Sequence, residues 1–317
     1  MFAEAFQVTL TGVSSSFILG GIGFFLIKRN LLGIGGLNTI SLLTVEVTLP
    51  LLIFSRLLKS FSFHTFPQWW LFPVLSLAIT ALGFIVGYFC SGFLKEKEER
   101  LQFISLVAFQ NSGYLPLTLL SSLLPNHKQE LILIYLFLFL LGFNLVMFSL
   151  GIYMLTYFDK KEFDFKSLFN PPVVATLLGL AVVWLGWQHF FPSWVLNPLE
   201  KIGDCTVPLA MIVVGGNLAL IRINQRYLKP ITMFTLAKLV IMPLIGLWFI
   251  FVWSTPEMLG FLIILQLAMP PATNLSVIVS RYNAKDILIS QGIFWGHLFS
   301  LITIPVFLSL YFVIRTL

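Results

Sequence analysis

Two stretches of this sequence place amides, hydroxyls, glycine and proline inside long apolar runs. Residues 110–116 read Gln-Asn-Ser-Gly-Tyr-Leu-Pro, and residues 266–274 read Gln-Leu-Ala-Met-Pro-Pro-Ala-Thr-Asn. Proline removes a backbone donor and glycine lowers the cost of unwinding, so both stretches predict interrupted helices. In hydrocarbon, the freed backbone groups must be satisfied by protein or by water in a cavity. The chemistry these residues offer is that of a neutral, polar binding site.

A small organic anion would suit such a site. If the two interruptions cross, helix N-termini would place partial positive charge near the middle of the membrane, which favours a carboxylate. Asn111 and Asn274 could donate hydrogen bonds to it. The alternative is an ordinary proline kink with packed amides in each stretch. The predicted substrate-binding residues are Gln110, Asn111, Ser112, Gly113, Pro116, Gln266, Pro270, Pro271, Thr273 and Asn274.

Acidic residues inside apolar runs are candidates for proton or ion coupling. Glu46 lies about ten residues into its run, roughly 15 Å deep, where carboxylates usually mark ion or proton paths. Asp204 stands at a corresponding position later in the chain. A structural hydrogen bond made by the neutral acid is the alternative for both. Thr48 and Thr206 could add oxygen ligands if sodium binds, or could bond only their own helix backbones.

Two basic side chains complete the predicted coupling set. Lys238 is expected either to extend its amine back toward the membrane surface or to form an ion pair with Glu46 or Asp204. His297 could relay protons, although a single histidine in a helix bundle is more often only hydrogen-bonded. Asn144 is interpreted as a hydrogen bond between helices.

The two cysteines, Cys90 and Cys205, can form neither a disulfide framework nor a metal site. We expect no metal and no cofactor, with a proton or a sodium ion as the candidate coupling ion.

Composition places these residues in a membrane protein. Of 317 residues, 58% are hydrophobic and only 10% are charged, whereas a soluble domain carries about a quarter charged residues. The surplus apolar surface must face the lipid bilayer. The net charge of +6 comes from short basic clusters between apolar runs, so nucleic acid is not an expected partner.

Ten apolar runs are long enough to cross the bilayer, which needs about 20 residues each. We therefore predict an all-α membrane protein with ten transmembrane helices and short connections. The two polar stretches fall in the middle of spans 4 and 9. The predicted spans are 6–27, 36–57, 68–94, 101–124, 131–157, 170–190, 195–220, 229–253, 257–280 and 287–314.

The distribution of lysine and arginine predicts the orientation of the spans. With the N-terminus outside, thirteen of these residues lie on the cytoplasmic side and five on the other side, while Lys238 lies within a span. We expect a multi-pass protein of the cell (inner or plasma) membrane with both termini extracytoplasmic.

The two halves of the chain repeat a short motif. Residues 46–50 in span 2 and residues 204–208 in span 7 both read acid-x-Thr-x-Pro, at an offset of 158. Because each half has an odd number of spans, the copies must run in opposite directions. The sequence predicts two inverted five-helix repeats, 1–157 and 158–317, in one integral membrane domain, an arrangement usual in secondary carriers.

Several further motifs lie at ordered positions along the chain. They comprise residues 47–54 in span 2, 170–172 and 178–180 in span 6, Lys238 five residues before Pro243, Gln266, Ala268 and Pro270 in span 9, and residues 282–283, 287–290, 292–294 and 304–305. With these motifs, nearly the whole sequence resembles the auxin efflux carrier family, which includes plant auxin exporters and bacterial permeases suggested for malate or malonate.

The resemblance implies a sodium/proton-antiporter-like or bile-acid-symporter-like fold with spans 4 and 9 crossed and the helices divided into a panel and a core. It also implies elevator-type alternating access for a carboxylate such as malate, malonate or an auxin-like weak acid, and a homodimer. The long regulatory loop of the plant exporters is absent between spans 5 and 6. The spacing from Asn111 to Pro116 departs from the plant pattern, which leaves the exact substrate open.

Other function classes make different demands on the sequence. A sodium-coupled organic-anion symporter of the bile-acid type would share the fold and would require sodium for binding. An intramembrane enzyme is disfavoured, since the sequence contains neither His-Glu-x-x-His nor a Walker-type phosphate loop. A channel would not need two matched interruptions in inverted halves.

Overall fold

The computed structural model describes residues 2–124, 126–156, 168–221, 227–281 and 287–316, and regular structure in these residues is helical. The helices are α1 Phe2–Lys28, α2 Ile34–Ser60, α3 Leu71–Cys90, α4 Lys97–Ala108, α5 Tyr114–Leu123, α6 Asn126–Val146 continued by Met147–Gly151 and Ile152–Thr156, α7 Pro171–Trp184, α8 Ser193–Leu220, α9 Leu228–Trp253, α10 Glu257–Ala268, α11 Asn274–Arg281 and α12 Ile287–Thr316.

Seven of the described helices are long and apolar enough to cross a membrane, namely α1, α2, α3, α6, α8, α9 and α12. The all-α membrane class is therefore confirmed. Helices α7 and α10 are apolar but have only 14 and 12 residues, so ten complete crossings stay a prediction. Some residues behind the predicted charge bias and the C-terminal motif lie outside the described part, namely 160, 161, 166, 222, 226, 282, 283 and 285.

Spans 4 and 9 are each divided into two short helices. Between α4 and α5 the break covers residues 109–113, and between α10 and α11 it covers residues 269–273. A helix cannot continue through Pro270 and Pro271, because neither has an amide hydrogen and each ring clashes with the preceding turn. Pro116 lies within the first turn of α5 instead of in the break, at a position where the missing amide donor would have had no partner in the helix.

Among the described helices, α2, α6 and α9 each contain a π-helical turn, at Thr44–Thr48, Met147–Gly151 and Ala237–Ile241. The extra residue in such a turn changes the direction in which neighbouring side chains point, and these turns are frequent at functional sites. In α2 the turn leaves Thr48 buried and Glu46 exposed, and in α9 it holds Lys238 in the interior.

Glycines allow α1 and α8 to pack closely. A Cβ atom on Gly215 would overlap the carbonyl oxygen of Gly20, and one on Gly23 would overlap the carbonyl oxygen of Ile212. Small residues at such contacts are the usual means by which helices associate in lipid. Helix α2 packs against α7 and α8, and α3 packs against α4 and α6.

Replacing Gly215 by alanine should destabilise the protein by about 1–3 kcal/mol, because the added methyl group meets backbone that cannot move aside without separating the helices. A thermal-shift measurement on purified protein tests this. Gly21→Ala in α1 is the control, since a Cβ there has nothing within 4 Å. Equal melting temperatures for the two variants would show that α1 and α8 are not in such close contact.

Candidate functional site

The two breaks pair with each other as a short antiparallel bridge. We call residues 109–113 the first linker and residues 269–273 the second linker. The Asn111 amide N–H donates to the Pro270 carbonyl at 2.7 Å, and the Ala272 N–H donates to the Phe109 carbonyl at 2.9 Å. Gln110 and Pro271 face each other between these bonds. Each linker thus provides hydrogen-bond partners for backbone groups that the break in the other helix leaves unpaired, as buried polar groups require.

Gln266 holds the first linker from α10. Its side chain is fully buried, and Nε2 donates to the Ser112 carbonyl at 3.2 Å. The Gln266 Oε1 atom and both amide atoms of Gln110 have no hydrogen-bond partner in the described part of the chain. Buried amide atoms without partners are uncommon and often mark a place for water or a ligand.

His297 in α12 orients the side chain of Asn111. The Nδ1 atom lies 2.8 Å from the Ile293 carbonyl oxygen, and because a carbonyl can only accept, Nδ1 carries the hydrogen. In the neutral ring, Nε2 is then the acceptor, and it lies 3.4 Å from Asn111 Nδ2. This contact assigns the amide orientation of Asn111 and leaves its second N–H available to a ligand.

An open cavity lies against both linkers. Helices α5 and α11 both begin at this cavity, since Tyr114 and Asn274 are among its lining residues. Their N-terminal amide groups favour an anion there. The described lining contains no carboxylic acid, and its amide and hydroxyl side chains are those of Gln110, Asn111, Ser112, Asn144, Asn170, Thr273 and Asn274, with the Tyr114 phenol beside them.

The predicted binding residues therefore separate into three groups. Gln110, Asn111, Ser112, Gly113, Thr273 and Asn274 line the cavity. Gln266, Pro270 and Pro271 shape the linkers from outside the lining. Pro116 is buried within α5 and neither lines the cavity nor contributes to the break.

Two asparagines that line the cavity were not predicted as binding residues. Asn170 caps α7, because its Oδ1 accepts from the Val173 amide at 3.2 Å, while its Nδ2 is buried without a partner in the described chain. The order Asn-Pro-Pro is a recognisable helix start, but it does not show what the amide faces. Asn144 was interpreted only as a contact between helices, and its mid-span position was the available signal.

The predicted coupling residues do not form one cluster. Glu46 lies on the exposed side of α2, within the π turn that leaves Thr48 buried. Asp204 is also exposed and pairs with Arg56 at 3.2 Å. Both expectations for Lys238 were wrong, since it makes no ion pair with either acid and its amine does not reach the surface.

Thr48 and Thr206 contact each other. The Thr206 hydroxyl donates to the Thr48 hydroxyl at 3.0 Å, and Thr48 lies 3.4 Å from the Thr44 carbonyl of its own helix. Both threonines are buried. This pair joins α8 to α2, and its hydroxyls are engaged with each other and with backbone.

Comparison with known proteins gives a consistent family assignment. Residues 10–163 and 155–308 match the Membrane transport protein family. Protein PIN-LIKES 2 of Arabidopsis thaliana is 25% identical over 163 residues, which cover 46% of this chain and 35% of that protein. Protein PIN-LIKES 5 of the same plant is 25% identical over 179 residues, covering 49% of this chain and 44% of that protein. The chain thus matches less than half the length of these plant relatives.

An uncharacterized transporter of Methanothermobacter thermautotrophicus is similar over almost its full length. It is 24% identical over 304 residues, covering 92% of this chain and 95% of that protein. The resemblance to auxin efflux carriers is confirmed by these matches. Because the family match extends across most of the sequence, the chain belongs to the Membrane transport protein family.

Proposed function

We propose that the protein is a secondary transporter of a small organic anion, bound where the two linkers meet. The observation that carries this proposal is the cavity at the linkers, which combines two helix N-termini with amide donors and has no acid in its described lining. Hydrogen bonds from neutral amides to a carboxylate are charge-assisted and stronger than neutral pairs. A cation would find no opposite charge there.

Movement of the site between the two membrane sides is the second part of the proposal. We assign α1, α2, α7 and α8 to a static panel and the remaining helices to a core that moves past it. The cavity lies at this boundary, with Val45 and Leu49 of α2 on one side and the linkers on the other. A site at such a boundary suits elevator-type alternating access.

Two inverted repeats, 1–157 and 158–317, would explain the symmetry of the contacts. Exchanging the halves converts the α1–α8 contact into the α2–α7 contact, and both are present. Thr48 and Thr206, equivalent at an offset of 158, meet each other. The proposal further places the protein in the cell membrane, with both termini extracytoplasmic on the charge bias, and as a homodimer on the family resemblance.

Sodium coupling has less support than a sodium-independent carrier. The two acids expected to bind sodium are exposed, and the two threonine hydroxyls bond each other.

A binding screen tests the proposed function. Purified protein is heated with potassium acetate, malonate, malate or indole-3-acetate, and in parallel with malonamide or indole-3-acetamide. At least one acid should stabilise the protein saturably, by about 2.7 kcal/mol at a concentration 100-fold above Kd, and the neutral amides should not. Replacing potassium by sodium should change nothing. Equal stabilisation by acids and amides would contradict an anion site.

A further inference from the structure

Lys238 is the sole charged side chain among the fully buried residues of the described chain. Its exposed fraction is 0%, and its Nζ atom has no hydrogen-bond partner in the described chain. Removing an ammonium group from water without a counterion is strongly unfavourable. A lysine buried in this way must either have its amine uncharged or be balanced by an anion that binds nearby.

The π turn that holds Lys238 packs against helices that lead to the linkers. The turn contacts α3, α4, α10 and α12. Three of these helices contribute a buried polar atom without a partner in the described chain, on Ser105 of α4, Gln266 of α10 and Thr303 of α12. Gln266 also bonds the first linker directly, and α4 leads into Gln110. The turn that holds Lys238 is therefore connected to the proposed anion site through α4 and α10.

The described parts of these helices do not supply a counterion. Their acids are Glu98 and Glu99 in the first turn of α4 and Glu257 in the first turn of α10, and none pairs with Lys238. Glu257 pairs with Lys128 at 2.8 Å. His297 of α12 is also buried, and both of its ring nitrogens have hydrogen-bond partners.

The remaining titratable groups of these helices are cations or weak acids. Lys97 and Arg100 begin α4, and Arg315 lies in the last turn of α12. The weak acids are Tyr88 and Cys90 of α3 and Tyr311 of α12, whose hydroxyl donates to the Glu257 carbonyl. On α9 itself, the Lys229 amine lies 5.2 Å from the ring centre of Phe93. None of these groups is a carboxylate that could serve as the counterion of Lys238.

We propose that binding of an anion at the linkers is coupled to protonation of Lys238, so that the transporter carries one proton with each monoanion. The empty protein holds a neutral amine. A proton from water adds to Nζ as the anion enters, so one negative and one positive charge are gained together. Both leave on release. The inference rests on the proposed function and extends it to the coupling ion.

Charge balance then decides the preferred substrate. A monoanion with its proton leaves the net charge of the core unchanged, so the loaded core can cross the membrane without moving charge. A dianion would leave one negative charge unbalanced in the protein interior, where the dielectric constant is low. Monocarboxylates, or dicarboxylates with one acid protonated, are the substrates this arrangement favours.

Proton uptake measured during binding tests the proposal. Potassium acetate, malonate, malate or indole-3-acetate is added to purified protein in weakly buffered dye solution, at several pH values from neutral to alkaline, while bound anion is measured in parallel. Wild-type protein should take up as much as one proton per bound monoanion. Lys238→Arg, which is always charged, should still bind the anion but take up no proton. Lys238→Met should bind at least about tenfold more weakly, equivalent to about 1.4 kcal/mol, and take up none.

The outcomes separate the two proposals. A wild-type protein that binds none of these anions overturns the proposed function and this inference with it. Binding without proton uptake, or uptake that persists in Lys238→Met, overturns the inference alone. His297→Gln should weaken anion binding, because it removes the contact that orients Asn111, but proton uptake per bound anion should stay the same. Uptake per bound anion that is lost in His297→Gln but kept in Lys238→Met would assign the proton to the histidine instead. If a lysine variant fails to fold, binding without proton uptake in the wild-type protein still overturns the inference.

Discussion

Asn111→Ala should weaken carboxylate binding by about 10- to 100-fold and leave the protein folded. The side chain supplies a donor to the cavity and is held in position by His297. A hydrogen bond to a charged group contributes about 1.5–3 kcal/mol, which sets this range. Only the side chain is removed, and the backbone bond from Asn111 to Pro270 remains. Titration calorimetry with the tightest-binding carboxylate measures the change directly.

Asn38→Ala is the matched control for this prediction. Asn38 is an exposed asparagine of α2 that does not line the cavity, so its removal should leave the affinity unchanged. Asn274→Ala should weaken binding in the same direction as Asn111→Ala, because Asn274 lines the cavity where α11 begins. If Asn111→Ala and Asn274→Ala both bind every carboxylate as tightly as wild type, the assignment of the site to the meeting point of the linkers is wrong.

Gly296→Ala should disrupt the site from outside it. A Cβ atom on Gly296 would lie 2.6 Å from Cδ of Pro271 and 3.3 Å from the Phe234 ring. The Pro271 ring is rigid and sits in the bridge with Gln110, so the second linker must shift as a whole. We expect a loss of about 1–3 kcal/mol in folding free energy and a larger fractional loss of anion binding. Thermal shift and calorimetry on one preparation measure both quantities.

Gly113→Ala is the control for this steric argument, although it lies within the first linker. A Cβ there meets only Leu140 methyl carbons, at 3.7 and 3.9 Å, and the residue has a negative φ of −107° that alanine can adopt. Its stability should stay within about 0.5 kcal/mol of wild type, as is usual for a substitution without a clash. A stable Gly296→Ala beside an unstable Gly113→Ala would contradict the described packing of the second linker.

Local chemistry made the broken helices predictable. Glycine and paired prolines act on their own backbone, so their effect can be read without knowing which residues lie nearby. Pro116 shows the limit of this reasoning, since proline also fits the start of a helix and served that purpose here. The lengths of the apolar runs likewise follow from bilayer thickness, which is why the membrane class was predictable.

Side-chain direction was harder to predict because it depends on π turns and on packing between distant segments. Glu46 was expected to be a buried acid, but the turn at Thr44–Thr48 places it on the exposed side of α2. The turn at Ala237–Ile241 places Lys238 in the interior without an acid. The contact of Asn111 with His297 joins residues 186 positions apart, and no local pattern indicates it.

The most direct test of the account is a density map of the protein bound to the tightest-binding carboxylate of the screen. We predict that the carboxylate lies between the starts of α5 and α11, with one oxygen within hydrogen-bonding distance of Asn111 Nδ2. An anion bound elsewhere, with the linker cavity empty at saturating concentration, would contradict the central claim that the meeting point of the two linkers is the substrate site.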